Sequence, residues 1–178
     1  MSNTNSNGYY DSVTQQVVYE GSSRHIWRRG DLVFKVDPER LDSEWSSKME
    51  LLLSVVKLGA WAGFHENGYR THFIDGTDLQ GNRPFEMDGS KSAVILSKSQ
   101  RLSVLSIFGD AIQAGRLMGY TFGDITCGNI LTDGKQCFLI DYDVIVPWPL
   151  PESHVQVWSN TLRLLFGEDN ETLPPKND

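Results

Sequence analysis

The sequence predicts an α+β fold in which a small antiparallel sheet carries one helix and leads into a mainly helical second half. Two observations predict it. Between Gln15 and Val36, three short apolar or alternating runs are separated by turn signals, the pattern of an antiparallel meander. Further on, Glu39 to Leu58 and Ser103 to Met118 repeat apolar residues at helical spacing. A chain of 178 residues suffices for one ordinary domain, or for two small lobes sharing a cleft, and 39% hydrophobic residues support a core.

The elements follow in order. Met1 to Gly8 is polar and Asn/Ser-rich, and reads as a disordered tail because it has little to bury. The first strand, Gln15–Glu20, ends at Gly21-Ser22-Ser23. The second, Arg24–Arg29, turns at Gly30-Asp31, and the third, Leu32–Val36, stops at Asp37-Pro38. The helix over Glu39–Leu58 places Leu41, Trp45, Met49, Leu52 and Val56 on one face and ends at Gly59. Trp61 to Arg83 is rich in aromatics and glycine and offers one strand, Tyr69–Ile74. Its two histidines, His65 and His72, lack partners at metal-ligand spacing. Ser92–Leu96 reads as a buried strand and Ser97–Gln100 as a polar connector into the helix Ser103–Met118, closed by Gly119. Near the end, Pro147, Pro149 and Pro151 hold the chain extended, and Val155–Phe166 is a last helix.

The densest chemistry lies between these helices. Gly123-Asp124-Ile125-Thr126-Cys127-Gly128-Asn129 is bracketed by glycines and reads as a tight loop. Ile130-Leu131 and Cys137–Ile140 are short strands joined by Asp133-Gly134, a hairpin turn signal. Such a hairpin sets Asn129, at the entry of one strand, beside Asp141, at the exit of the other. Two oxygen ligands so placed can share a hard cation, and Mg²⁺ takes such ligands together with substrate phosphates. The same residues also fit a hairpin whose Asp and Asn only cap turn backbone.

Asp124 to Asn129 is D-x-x-x-x-N, followed after the hairpin by Ile140-Asp141-Tyr142-Asp143. This resembles the catalytic loop and metal motif of the protein-kinase-like superfamily, in the style of its small-molecule and atypical kinases. The resemblance implies a bilobal fold: an antiparallel N-lobe sheet plus one helix, and a reduced helical C-lobe. It implies ATP and Mg²⁺ as cofactors, Asp124 as catalytic base, and Asn129 and Asp141 as metal ligands. Lys35, within Leu-Val-Phe-Lys-Val, is similar to the phosphate-binding lysine of V-A-I-K, although a lysine on a half-buried strand also commonly points to solvent. The fold then asks for a helix glutamate to pair with Lys35. Glu44 lies at the edge of the buried face and is the choice, with Glu50 left as the alternative. Gly21, Ser22 and Ser23 take the place of the loop over the phosphates. The sequence departs from the family at Phe122, where histidine is frequent, at Thr126, where protein kinases place lysine, and at Tyr142-Asp143 in place of Phe-Gly.

The expected organisation is a tail over 1–10, a first lobe over 11–97 with its hinge near Ser97–Gln100, a second lobe over 98–168 and a flexible tail over 169–178. The expected activity is ATP-dependent phosphoryl transfer to a hydroxyl of a small molecule, saccharide or protein. A pseudokinase-type binding module is the alternative, and nucleotidyl transfer a third reading. Lys+Arg 16 against Asp+Glu 23 gives a net charge of −7, which speaks against a nucleic-acid surface. Two cysteines are too few for a disulfide framework, and no apolar run reaches membrane-spanning length. A cytoplasmic setting without a membrane partner is therefore expected.

Overall fold

A computed structural model describes residues 8–11, 16–19, 25–82 and 94–167. They form a mixed α/β fold with antiparallel sheets and three α-helices. The main sheet has six strands: β1 (Gly8–Asp11), β2 (Gln16–Tyr19), β3 (His25–Arg29), β4 (Leu32–Val36), β5 (Trp61–His65) and β6 (Gly68–His72), in the order β1-β2-β3-β4-β6-β5. Every pairing is antiparallel. β4 thus lies inside the sheet, with Lys35 opposite Ile26 on one side and Tyr69 on the other.

Two strands of this sheet were not expected. β1 falls at the end of the stretch expected to be a tail, where Tyr9-Tyr10 favours extended backbone. β5 forms a hairpin with β6 across Glu66-Asn67, with His65 opposite Gly68. Asn67 has φ 52°, a conformation that asparagine tolerates better than most residues. Gly68 is required, because a Cβ there would lie 2.0 Å from the Lys35 carbonyl oxygen.

Helix α1 (Ser43–Leu53) is shorter than expected at both ends. The Asp42 carboxylate accepts the Trp45 N–H at 2.8 Å, so the cap at Asp42 sets the start rather than Pro38. Trp45, Met49 and Leu52 are its buried face. Helix α2 (Lys98–Met118) starts earlier than expected. Ser97 and Gln100 form a capping box: Ser97 Oγ accepts from the Gln100 N–H, and Gln100 Oε1 accepts from the Ser97 N–H at 2.8 Å. The stretch expected as a connector is therefore the first turn of this helix. Of the expected strand before it, Val94–Leu96 is irregular, and Ser92 and Ala93 lie outside the described residues.

The remaining elements are small. A three-stranded sheet has the order β10-β9-β7, from β7 (Thr77–Asp78), β9 (Ile130–Thr132) and β10 (Cys137–Leu139). A two-stranded ladder pairs β8 (Tyr120–Phe122) with β11 (Ile145–Pro147). Helix α3 (Glu152–Phe166) follows directly after Pro151, three residues before its expected start, because Pro151 at its N-cap can stand only at a helix beginning. One contiguous buried cluster takes in Trp45 and Met49 of α1, Tyr69 of β6, Val104 and Phe108 of α2, Ile130, Tyr142, and Trp158 of α3. Among the described residues no helix is long and apolar enough to cross a membrane.

Candidate active site

Lys35 and Tyr69 are cross-strand partners on β4 and β6, so their side chains leave the sheet on one face. In Asp141-Tyr142-Asp143 the two carboxylates, at i and i+2, both meet Lys35, while Tyr142 between them goes into the core. Tyr142 is fully buried, and its ring lies 5.6 Å from that of Trp61 and 5.5 Å from that of Tyr69. The two aspartates reach Lys35 together. Lys35 Nζ is 2.7 Å from Asp141 Oδ1 and 2.6 Å from Asp143 Oδ2. The Lys35 and Asp143 side chains are 7% and 5% exposed, so this ion cluster is largely withdrawn from water, while Asp141 at 21% keeps an opening.

Tyr69 completes the cluster. Its hydroxyl accepts the Tyr142 N–H at 3.1 Å and donates to Asp143 Oδ1 at 2.9 Å. It has one proton to give, so the longer 3.5 Å approach to Asp141 Oδ1 is secondary. Asp141 Oδ1 also accepts the Asp143 N–H at 3.2 Å. Trp45 anchors the segment from α1, its indole N–H donating to the Tyr142 carbonyl at 3.0 Å. Burial pushes the Asp143 carboxyl above the usual carboxylate range, and the Asp141 charge adds to that, with Lys35 opposing both. Burial first, and then Asp141 and Asp143, raise the Tyr69 phenol well above its usual value.

Asp124 sits on the loop after β8. Asn129 Nδ2 donates to Asp124 Oδ2 at 2.9 Å and to the Asp124 carbonyl at 3.0 Å. The Thr126 N–H closes onto the same carbonyl at 3.1 Å, and a short 3₁₀ turn, Cys127–Asn129, follows. The hairpin then aligns its ends: Leu139 pairs with Ile130, and the Ile140 N–H donates to the Asn129 carbonyl at 3.0 Å. Asp141 is the next residue. With its amide nitrogen given to Asp124, Asn129 has Oδ1 left as the oxygen that could meet a cation.

Lys35, Asp141 and Asp143 are therefore brought together, and Asn129 is joined to Asp124. Glu44 belongs to neither group. The expected ion pair with Lys35 is replaced by one with Lys48, whose Nζ is 2.6 Å from Glu44 Oε1. Glu44 is in the first turn of α1, one residue before the inward-facing Trp45, and its side chain is 73% exposed. An i,i+4 lysine satisfies it there. Glu50 is exposed as well. Gly21, Ser22 and Ser23 lie outside the described residues. Sequence reading passed over Asp143 and Tyr69 as site residues. The i,i+2 spacing of Asp141 and Asp143 was a usable signal, whereas Tyr69 had none before its register with Lys35 was known.

The donors fit a hard cation in kind: carboxylate oxygens and one amide oxygen. Among the described residues no three His, Cys, Asp or Glu side chains cluster as a metal cage, so other ligands would have to complete a coordination shell. Cys127 and Cys137 are buried thiols whose pKa values burial raises, which suits packing rather than nucleophilic chemistry.

No protein-family model matches the chain, and no curated protein matches it. Among solved structures it is similar to a choline/ethanolamine kinase family protein from Mesorhizobium loti, with a TM-score of 0.40 and 14% sequence identity. The match covers 84% of this chain and 64% of that one, so this chain spans less than two thirds of its neighbour's length. A likeness this loose leaves the functional reading to rest on the side chains themselves.

Proposed function

We propose that the chain is a minimal ATP-dependent phosphotransferase with the bilobal arrangement of the protein-kinase-like superfamily, acting on a hydroxyl acceptor. The observation that carries this reading is the meeting of Lys35 with Asp141 and Asp143 at 2.7 and 2.6 Å, next to a hairpin that joins Asp141's segment to the Asp124–Asn129 loop. Phosphoryl transfer asks mainly for positioned charge, and this arrangement supplies both signs. Asp141 and the Asn129 amide oxygen would hold Mg²⁺, which supplies neutralisation of phosphate charge when bound.

The rest falls to the chain. Lys35 binds a phosphate oxygen, exchanging a carboxylate for a phosphate partner. Asp143, tied to Tyr69, keeps the Lys35 ammonium beside Asp141. Asp124 takes the acceptor's hydroxyl proton through Oδ1, since Oδ2 is engaged by Asn129. Between Asp143 and α3 there are only the residues Val144 to Pro151, three of them in β11, too short a run for the platform that peptide substrates use. A small-molecule or saccharide hydroxyl is the acceptor this favours.

The test is ATP binding and turnover with Mg²⁺, together with transfer of labelled phosphate into metabolite and protein extracts. Asp141→Ala is expected to abolish Mg²⁺-dependent turnover. A variant with full affinity and rate would remove Asp141 from the reaction. Nucleotide binding by the wild type without transfer to any acceptor would point instead to a binding module.

A further inference from the structure

We propose that His154 is a positioning residue for Asp124. It reaches the loop from the first turn of α3 and fixes the peptide plane that leads into that carboxylate. The proposal rests on the phosphotransferase reading for what Asp124 does, while the contact itself can be judged without it.

His154 Nδ1 lies 3.1 Å from the Gly123 carbonyl oxygen. A carbonyl only accepts, so Nδ1 carries the hydrogen. That oxygen belongs to the planar unit ending at the nitrogen and Cα of Asp124, so holding it orients the residue that follows. The other side of Gly123 is held as well. Its N–H donates to the Val144 carbonyl at 2.8 Å, which extends the β8–β11 ladder by one bond beyond the Phe122–Ile145 pair. Val144 directly follows Asp143. One glycine therefore ties the loop of Asp124 to the segment of Asp141 and Asp143 through its N–H, and to α3 through its carbonyl.

Glycine is what lets the three segments of this junction, the Asp124 loop, the chain at Val144–Val146 and helix α3, come together. A Cβ at position 123 would lie 2.8 Å from Val146 Cγ1 and 2.9 Å from both His154 Nδ1 and Val144 Cγ1. Such distances require displacement of one of those groups. The missing side chain and the imidazole approach are two parts of one fit. Sequence alone could not join them, because His154 comes from a helix that follows the whole motif.

The contact is tested in the full chain by amide hydrogen exchange of His154→Ala and His154→Asn. Asparagine places Nδ2 where the imidazole had Nδ1. His154→Ala is expected to speed exchange across Gly123–Asn129 by about tenfold while β4 and β6 keep their protection, and His154→Asn is expected to restore much of it. Unchanged loop exchange in His154→Ala, or an equal rise in β4 and β6, overturns the proposal. Kinetics gives the second readout. With His154→Ala, kcat should fall about 10- to 100-fold with little change in the KM for ATP, because a misplaced group costs rate more than nucleotide binding. A raised KM with kcat retained would also overturn it. If the wild type shows no turnover, the phosphotransferase reading fails, and the exchange result still decides whether His154 holds the loop.

Discussion

Asp143 Oδ2 and Lys35 Nζ are 2.6 Å apart with both side chains nearly out of water, so each replaces part of the solvent the other has lost. A buried charge left without its partner costs several kcal/mol, whereas one left with a partner costs far less. That asymmetry decides what substitutions in this cluster do.

Lys35→Met keeps the stem and removes the ammonium. Asp141 and Asp143 then face each other with no cation between them. The expected loss is about 3 kcal/mol at neutral pH, read as a fall in the urea midpoint. Because Asp143 then titrates higher still, the deficit should shrink as the solution is acidified. A deficit that is absent at neutral pH, or one that grows on acidification, would contradict the ion cluster as described.

Asp143 also sets a pH dependence in the wild type. Its folded-state carboxyl is raised, by burial and then by Asp141, so the native chain holds this proton more tightly than the unfolded chain does. The associated stability is complete below the unfolded carboxylate value of about 3.9, and is lost as pH rises through the folded value. Asp143→Asn removes that dependence. Urea midpoints of the two proteins, measured in steps upward from about pH 4, should show the wild type losing stability relative to the variant. Parallel curves would mean that Asp143 titrates alike in both states.

Glu44→Ala tests the correction on α1. The pair it removes, with Lys48 at 2.6 Å, is exposed on the glutamate side. An i,i+4 helix pair of this kind contributes about 0.3–0.5 kcal/mol, so the melting temperature should hardly move and nucleotide affinity should not move at all. A large loss of affinity would restore Glu44 to the site and imply a second arrangement in which α1 turns toward Lys35.

Much of the local structure was legible in the residues. Asp133-Gly134 marked the hairpin, and its strand ends followed from antiparallel pairing, so Asn129 beside the Ile140–Asp141 segment was readable in advance. The start of α2 was readable too, since Ser97 and Gln100 are a capping-box pair, although the helical period drew attention to Ser103 instead. The Asn67-Gly68 dipeptide was a similar signal, and it would have supplied β5.

By itself, then, the sequence determined periodicities, turns and caps, because these depend on hydrogen bonds and side-chain spacing within a few residues. It determined the order Lys35, Asp124, Asn129, Asp141 along the chain, and the hairpin that sets the last two on neighbouring strand ends. Only the tertiary structure decided which charges meet. Lys35 and Asp141 are 106 residues apart, and their contact depends on how β4 and β6 meet the Asp141–Asp143 segment that follows the hairpin. That packing put Asp143 and Tyr69 around the ammonium and left Glu44 to Lys48. It also brought His154 from the last helix to Gly123. The physical reason is that a buried ammonium takes whichever carboxylates the core carries to it, and the core is built from residues distant in the chain.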